Sequence, residues 1–298
     1  MDGLGRAINK MEKGLERDLA REYATALKGI RQEISGIYER YAAADGTLSY
    51  ADMTRYNRLR TLEKDIAAEL KALTGKTAKL TQTGLEAIYE ESFYRTAFSL
   101  EKGVQAKLAF GKLNSKAVQA AVQNPISGLT LNERLAHNRA AIVISCKQTI
   151  TQGIIRGAGY PEMARELKHT LEGDLVKARR VVATEAHRVK EQARAEAIDH
   201  AVEQGVKLKR IWEATLDGST RDDHADMDGR EADADGLFWI DGLSAEYPGG
   251  FGDPAQDINC RCTVRTEIQG FEPKVRRVRG EGVIPYVNYD DWREGRIG

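Results

Sequence analysis

The sequence predicts an α+β protein: an elongated helical N-terminal region, built as a hairpin or bundle, followed by a small α+β C-terminal domain. Three observations predict it. Leu4, Ile8, Met11, Leu15, Leu19, Tyr23, Ala26, Ile30, Ile34, Ile37 and Tyr41 advance 37 residues in ten steps, or 3.7 per step, the period of one face of a straight helix. Beyond Gly205 the period changes: Val206, Leu208 and Ile211 alternate with lysine and arginine, and Gly and Asp become dense. One of only five histidines, two of only three cysteines and two of three tryptophans then fall within about fifty residues.

The first helix is expected to end at Ala44-Asp45-Gly46, and Ser49 with Asp52 reads as a capping-box variant opening a second. Met53, Tyr56, Leu59, Leu62, Ile66, Leu70 and Leu73 carry its apolar face before Gly75. The two should pair as an antiparallel hairpin packed against other helices, because the spacing lacks the strict heptad of a free coiled coil. A stalk that docks on another protein is the alternative. Residues 84–110 read as a further helix ending near Gly111, with Leu85, Ile88, Tyr89, Phe93, Tyr94, Ala97, Phe98 and Leu100 on its apolar side. Asn124 to Thr130 is a turn-rich joint, and Thr130 can cap the next helix, through Leu135 and Ile142 to about Gly153. Pro161 suits the first turn of another helix through Leu167, and a last one spans Asp174 to Glu203, stopping at Gly205. Strand candidates lie at 206–214 and 262–268. The expected domains are thus a helical, partner-docking region at 1–130, a helical connector at 131–205, a small α+β domain at 206–270 and an irregular tail at 271–298.

Lys plus Arg equals Asp plus Glu at 45 each, so no overall field draws the chain onto nucleic acid or an anionic membrane. No apolar run approaches the roughly 18 to 20 residues that span a bilayer, and Met1-Asp2-Gly3 lacks the features of a secretory signal. Three cysteines make no disulfide framework, and Cys146 reads as a small buried hydrophobe.

The chemistry concentrates at His224, Cys260 and Cys262. Ser219 or Thr220 can cap a short helix ending at Gly229, from which His224 projects, and thiols two apart in an extended run share one face. An imidazole facing two such thiols supplies three of the four ligands of a tetrahedral zinc site, with Asp217, Asp226 or a water to complete it. The other reading makes all three packed or hydrogen-bonded residues holding the last strand to the helix. A structural zinc would suit a loop-rich domain of about 65 residues, whose core alone is thin. The run from His224 to Asp235 does not make a calcium loop, since an EF-hand opens on Asp and closes on a bidentate Glu. Arg221 can clamp Asp217 or a loop carbonyl, Trp212 reads as core, and Asn259 can fix the turn before Cys260. Between Glu213 and Asp257 stand thirteen acidic and two basic residues, a surface that repels phosphates.

Trp212, Ala214, Thr215, Asp217, Thr220, Arg221, His224, Gly229, Pro248 and Asn259-Cys260-Arg261-Cys262 together resemble the C-terminal domain of the Mu F-type phage head-morphogenesis proteins, minor capsid proteins found beside the portal. Ile154 to Gly159 and the Thr184-Glu185 helix resemble the region preceding that domain more loosely; residues 1 to about 130 carry only helical periodicity. The resemblance implies a minor head protein that joins the portal in the procapsid, meets major capsid or scaffold protein, and supports DNA packaging or ejection. It implies a place inside the capsid of the virion, with assembly in the host cytoplasm, and no established catalysis. Some family members carry an appended toxin or transferase domain, for which the 28 or so residues after the motif are too few. Two other classes stay open. One is a metal-dependent hydrolase or nuclease using His224, Cys260 and Cys262, with Asp217 or Asp226 as base. The other is an internal DNA-binding head protein using the short basic cluster Lys274, Arg276, Arg277 and Arg279.

Overall fold

The computed structural model of the chain describes residues 3–124 and 128–269. Pro125 to Ser127 of the expected joint, the tail at 271–298 and its basic residues Lys274, Arg276, Arg277 and Arg279 lie outside the described residues. In chain order the elements are α1 (Gly3–Tyr41), α2 (Tyr50–Arg55), α3 (Arg58–Val104), α4 (Ser115–Gln123), α5 (Leu131–Ile155), α6 (Tyr160–Glu203), β1 (Leu208–Glu213), α7 (Asp222–Asp226), β2 (Phe238–Ile240), β3 (Leu243–Ala245), α8 (Pro254–Asp257) and β4 (Thr263–Ile268). The helical region with a small α+β part behind it is the predicted class.

Two of the expected helix breaks are absent. Gly75 reads as a stop, yet α3 runs straight through it, and the helices expected through Leu167 and from Asp174 are one continuous α6 that passes Gly173. A helical glycine costs about 1 kcal/mol relative to alanine. That is less than the gain from continuing a buried face: Leu73, Thr77 and Thr81 stay buried across Gly75, and Leu171 and Asp174 across Gly173. The second helix breaks elsewhere, at Asn57, whose φ of 55° ends α2 after six residues and lets α3 begin. Ser49 caps α2 as expected, its Oγ accepting from the Asp52 amide at 3.2 Å, and Thr130 with Glu133 makes a full capping box on α5.

The described residues divide into two compact units, both drawing on α1, α3 and α6. One comprises Lys13–Gly84 and Leu129–Val182. Its core is a helical bundle: Ile30, Ile34 and Ile37 of α1, Leu62, Ile66 and Leu70 of α3, Cys146 and Ile150 of α5, and Leu167 and Leu171 of α6. The antiparallel pairing of α1 and α3 shows in Lys76 reaching Glu22 at 3.5 Å and in Gly84, where an added Cβ would stand 2.8 Å from Leu15 Cδ2. Cys146 is fully buried in this core, which pushes its thiol pKa up to about 12, so it packs as the hydrophobe expected.

Asp174, also buried here, accepts a hydrogen bond from the Tyr23 hydroxyl at 2.5 Å. Burial raises its pKa above the usual carboxylate range, against the opposing pull of Tyr23 and Lys177. The folded chain therefore holds this proton to higher pH than the unfolded chain does, and stability falls as pH rises from the ordinary carboxylate range through the raised value. Asp174→Asn is expected to remove that fall. Thermal midpoints from about pH 4 to about pH 7 should shift progressively in the variant's favour relative to wild type; a constant difference across that range contradicts the account.

The other unit takes its described residues from Met1–Glu12, Leu85–Gly128 and Ala183–Gly298. Here β1 pairs with β4 antiparallel, from Leu208↔Ile268 to Glu213↔Thr263. The opposite edge of β1 is bonded too: Trp212 N donates to Arg230 O and Gly229 N to Trp212 O. β2 and β3 form a hairpin whose turn, Asp241-Gly242, has positive φ at both residues, the turn that matches strand twist. Trp212, Met227, Phe238, Ile240, Cys260, Cys262 and Val264 make the small core. This module rests on the C-terminal half of α6: Glu191 accepts from Thr263 Oγ1 at 2.9 Å, Arg194 donates to Val264 O at 2.7 Å, and Asn259 N donates to Thr184 Oγ1 at 3.3 Å.

Candidate metal centre

Three segments bring the donors together. α7 carries His224, and its N-cap is Arg221 rather than the expected Ser219 or Thr220, because Thr220 Oγ1 is spent on the Thr215 carbonyl inside the preceding turn. Gly229, at φ 77°, turns the chain after this helix back against Trp212. Asn259, at φ 57°, makes the corner before Cys260, a conformation asparagine tolerates better than most side chains. Cys260-Arg261-Cys262 then leads into β4 with both thiols inward.

The three donors are close together and buried. His224 Nδ1 lies 3.7 Å from Cys260 Sγ and 3.4 Å from Cys262 Sγ, and all three ligand atoms fall within 4.8 Å of one another. His224, Cys260 and Cys262 are all less than 5% exposed. The other ring nitrogen is held from behind. Gln256 Nε2 donates to Asp223 Oδ2 at 2.9 Å, which turns its Oε1 towards His224 Nε2 at 2.8 Å. Nε2 therefore carries a proton, and Nδ1 faces the thiols, as a donor to Cys262 in the charged ring and as a lone pair in the neutral one.

The electrostatics favour one anionic sulfur. The Cys260 thiol donates to Cys262, which lowers the Cys262 pKa to about 5 and raises that of Cys260. His224 and the Thr215 amide also donate towards Cys262 and stabilise its thiolate. Burial opposes the charged imidazolium of His224, but its bonds to Cys262 and Gln256 outweigh this and raise its pKa.

The remaining residues singled out by sequence fall around this group, not all in it. Trp212 is fully buried, edge-to-face with His224 at 5.5 Å between ring centroids, and its indole N–H has no hydrogen-bond partner among the described residues. Arg221 clamps the approach to Asn259 through the Gln256 and Ile258 carbonyls. Asp217 stands outside the cluster: Arg261 takes both its oxygens, at 2.5 and 2.6 Å, and that hydrogen bonding holds its pKa well below the usual carboxylate range. Asp226 is exposed and likewise outside the group. Gln256 and Asp223 were not legible as functional; a single glutamine in a Pro/Gly-rich loop has no spacing signal.

The family model described as Phage Mu protein F like protein matches residues 145–265, the stretch that contains this cluster. Minor head protein GP7 of Bacillus phage SPP1 is 33% identical over 288 residues, covering 94% of this chain and 92% of the relative. The chain belongs to the Mu F-like minor head protein family. As a member of that family it is a phage head-morphogenesis protein. A second relative, the NAD(+)--arginine ADP-ribosyltransferase EFV of Enterococcus faecalis, is 29% identical over 271 residues, covering 90% of this chain but 56% of the transferase. No solved structure matches. Among the described residues, no helix of this Mu F-like protein is long and apolar enough to cross a membrane.

Proposed function

We propose that this chain is a minor head protein that joins the portal inside the procapsid, meets scaffold or major capsid protein there, and supports DNA packaging or ejection as an assembly part rather than as an enzyme. The near full-length match to a minor head protein carries this reading. Of the two bases a hydrolase could use, Asp217 is spent on Arg261 and Asp226 is exposed outside the cluster, which favours the non-catalytic role. The place of action is then the capsid interior, reached from the host cytoplasm during assembly. Co-expression with the portal protein of the same genome is the test. The expected result is a stable complex and incorporation of the chain into procapsids; mixed samples that never associate and capsids that lack the chain would refute it.

We also propose that His224, Cys260 and Cys262 bind a structural zinc ion. Zinc bonds of about 2.3 Å to sulfur and about 2.05 Å to nitrogen, in a tetrahedron, need N···S edges of about 3.6 Å. The two edges here, 3.7 and 3.4 Å, straddle that value. The donor set fits in other respects: Gln256 orients the imidazole from the second sphere, and backbone amides of Thr215 and Cys262 point at the two sulfurs. Bound zinc would supply no chemistry beyond tying α7 to the segment before β4.

A further inference from the structure

We propose that the tip formed by the end of α1, α2 and the start of α3 is a docking surface for an acidic surface of a protein partner in head assembly. This identification of the partner rests on the minor-head reading; the surface is lodged in Tyr41, Tyr56, Arg40, Arg55 and Arg58. Both tyrosines sit on helix faces that periodicity assigns to the core, yet Tyr41 is 37% and Tyr56 56% exposed. Asn57, with its positive φ, turns Tyr56 out of the bundle where a continuous helix would have buried it.

The arginines give the patch its chemistry. The Arg58 guanidinium lies between the two rings, 3.8 Å from the Tyr41 centroid and 4.5 Å from that of Tyr56. Arg40 adds a second cation at 5.6 Å from Tyr41, and Arg55 one at 5.7 Å from Tyr56. A guanidinium stacked on its faces keeps its N–H edge available for a carboxylate, and stacking settles its orientation before binding. Arg55 and Arg58 form no ion pair among the described residues, although carboxylates are plentiful in this chain. Tyrosine and arginine are the residue types enriched where protein interfaces concentrate their binding energy. A nucleic-acid backbone fits less well, because its unbroken line of phosphates would run past the exposed carboxylates Glu39, Asp45 and Asp52, whereas a protein surface can set single carboxylates on Arg55 and Arg58 alone.

The test measures binding of the full chain to the purified portal protein of the same genome, at low and high salt. Arg55→Glu with Arg58→Glu is expected to weaken binding by about tenfold or more, and Tyr56→Ala to weaken it without charge reversal, while thermal midpoints stay at the wild-type value. Wild-type affinity should fall as salt rises. If wild type binds and both variants bind equally well, the surface proposal fails and the portal reading stands. If wild type does not bind the portal at all, the portal reading falls, and with it the partner proposed here. Loss of duplex DNA binding in the double variant, with portal binding intact, would overturn the protein-partner assignment in favour of nucleic acid.

Discussion

Cys262→Ser is expected to abolish zinc retention and to unfold the C-terminal module selectively. The purified wild-type chain should carry about one zinc per chain, and the variant almost none, because a serine hydroxyl is not the soft anionic donor that a thiolate is. The energetic effect is large. Structural zinc sites contribute on the order of 10 kcal/mol of apparent binding free energy near neutral pH, and in a module with so small a core that free energy is folding free energy. Trp212 makes the loss visible, since it is fully buried against His224 and Phe238 and its fluorescence should shift when the cluster opens. Gln256→Ala separates the metal account from simple packing. It leaves all three donors in place but frees the imidazole, so zinc affinity should drop by about 10- to 100-fold while metal still binds at excess. Wild-type protein without stoichiometric zinc, together with a Cys260→Ser variant that folds normally, would leave the cluster as packed side chains.

Rarity makes this centre legible in the sequence: a histidine and a C-x-C pair drawn from so few suggest a built site, and the thiols do share one side. The orientation of the imidazole is not legible, because it depends on Gln256 and Asp223, residue types that polar loops contain for many reasons. Of the two partners expected for Arg221, the loop carbonyls are the ones it takes, and the partner of Asp217 is a residue the sequence did not single out for it. Arg221 and Arg261 are both long side chains, and sequence spacing does not tell which of them meets Asp217 and which takes backbone carbonyls. At the level of fold, periodicity identifies the long helices and the strands β1 and β4 but not the short α4 and α8, and glycine reads as a stop even where a helix has enough buried neighbours to carry it. Conversely Tyr41 and Tyr56 match the apolar period and are nevertheless exposed, Tyr41 as the last residue of α1 and Tyr56 just before the asparagine whose positive φ redirects the chain between α2 and α3. Period reports which residues could share a face, not whether something covers it.

Glu191 left no trace in the sequence, being one charge among many in α6, and Glu191→Ala is expected to be the most damaging single change outside the metal cluster. Its carboxylate is about 1% exposed. It accepts from Thr263 Oγ1 at 2.9 and 3.1 Å and from Val264 N at 3.4 Å, with Lys190 at 3.2 Å and Arg194 at 3.8 Å. Removing it strands a buried hydroxyl, a strand amide and two partly buried cations at once, which puts the loss at about 3 to 5 kcal/mol. Glu191→Gln keeps the volume and one acceptor oxygen but not the charge, so about 1.5 to 3 kcal/mol should go. The pH dependence distinguishes the two variants. Burial works to raise the Glu191 pKa, but Arg194, Lys190, His187 and the Thr263 bond outweigh it, and the folded-state value lies below the ordinary one. The charge therefore adds stability above the unfolded-state pKa, and that contribution is lost as pH falls through the folded-state value. Denaturation followed by Trp212 fluorescence at a series of pH values should show the wild-type advantage over Glu191→Gln shrinking on acidification, as the wild-type carboxyl becomes as neutral as the amide. The gap to Glu191→Ala should persist, because the cavity and the unpaired Val264 amide do not titrate. A Glu191→Gln gap that is independent of pH would mean that the clamp works through shape and hydrogen bonding alone, and that the cations of α6 contribute nothing to holding β4.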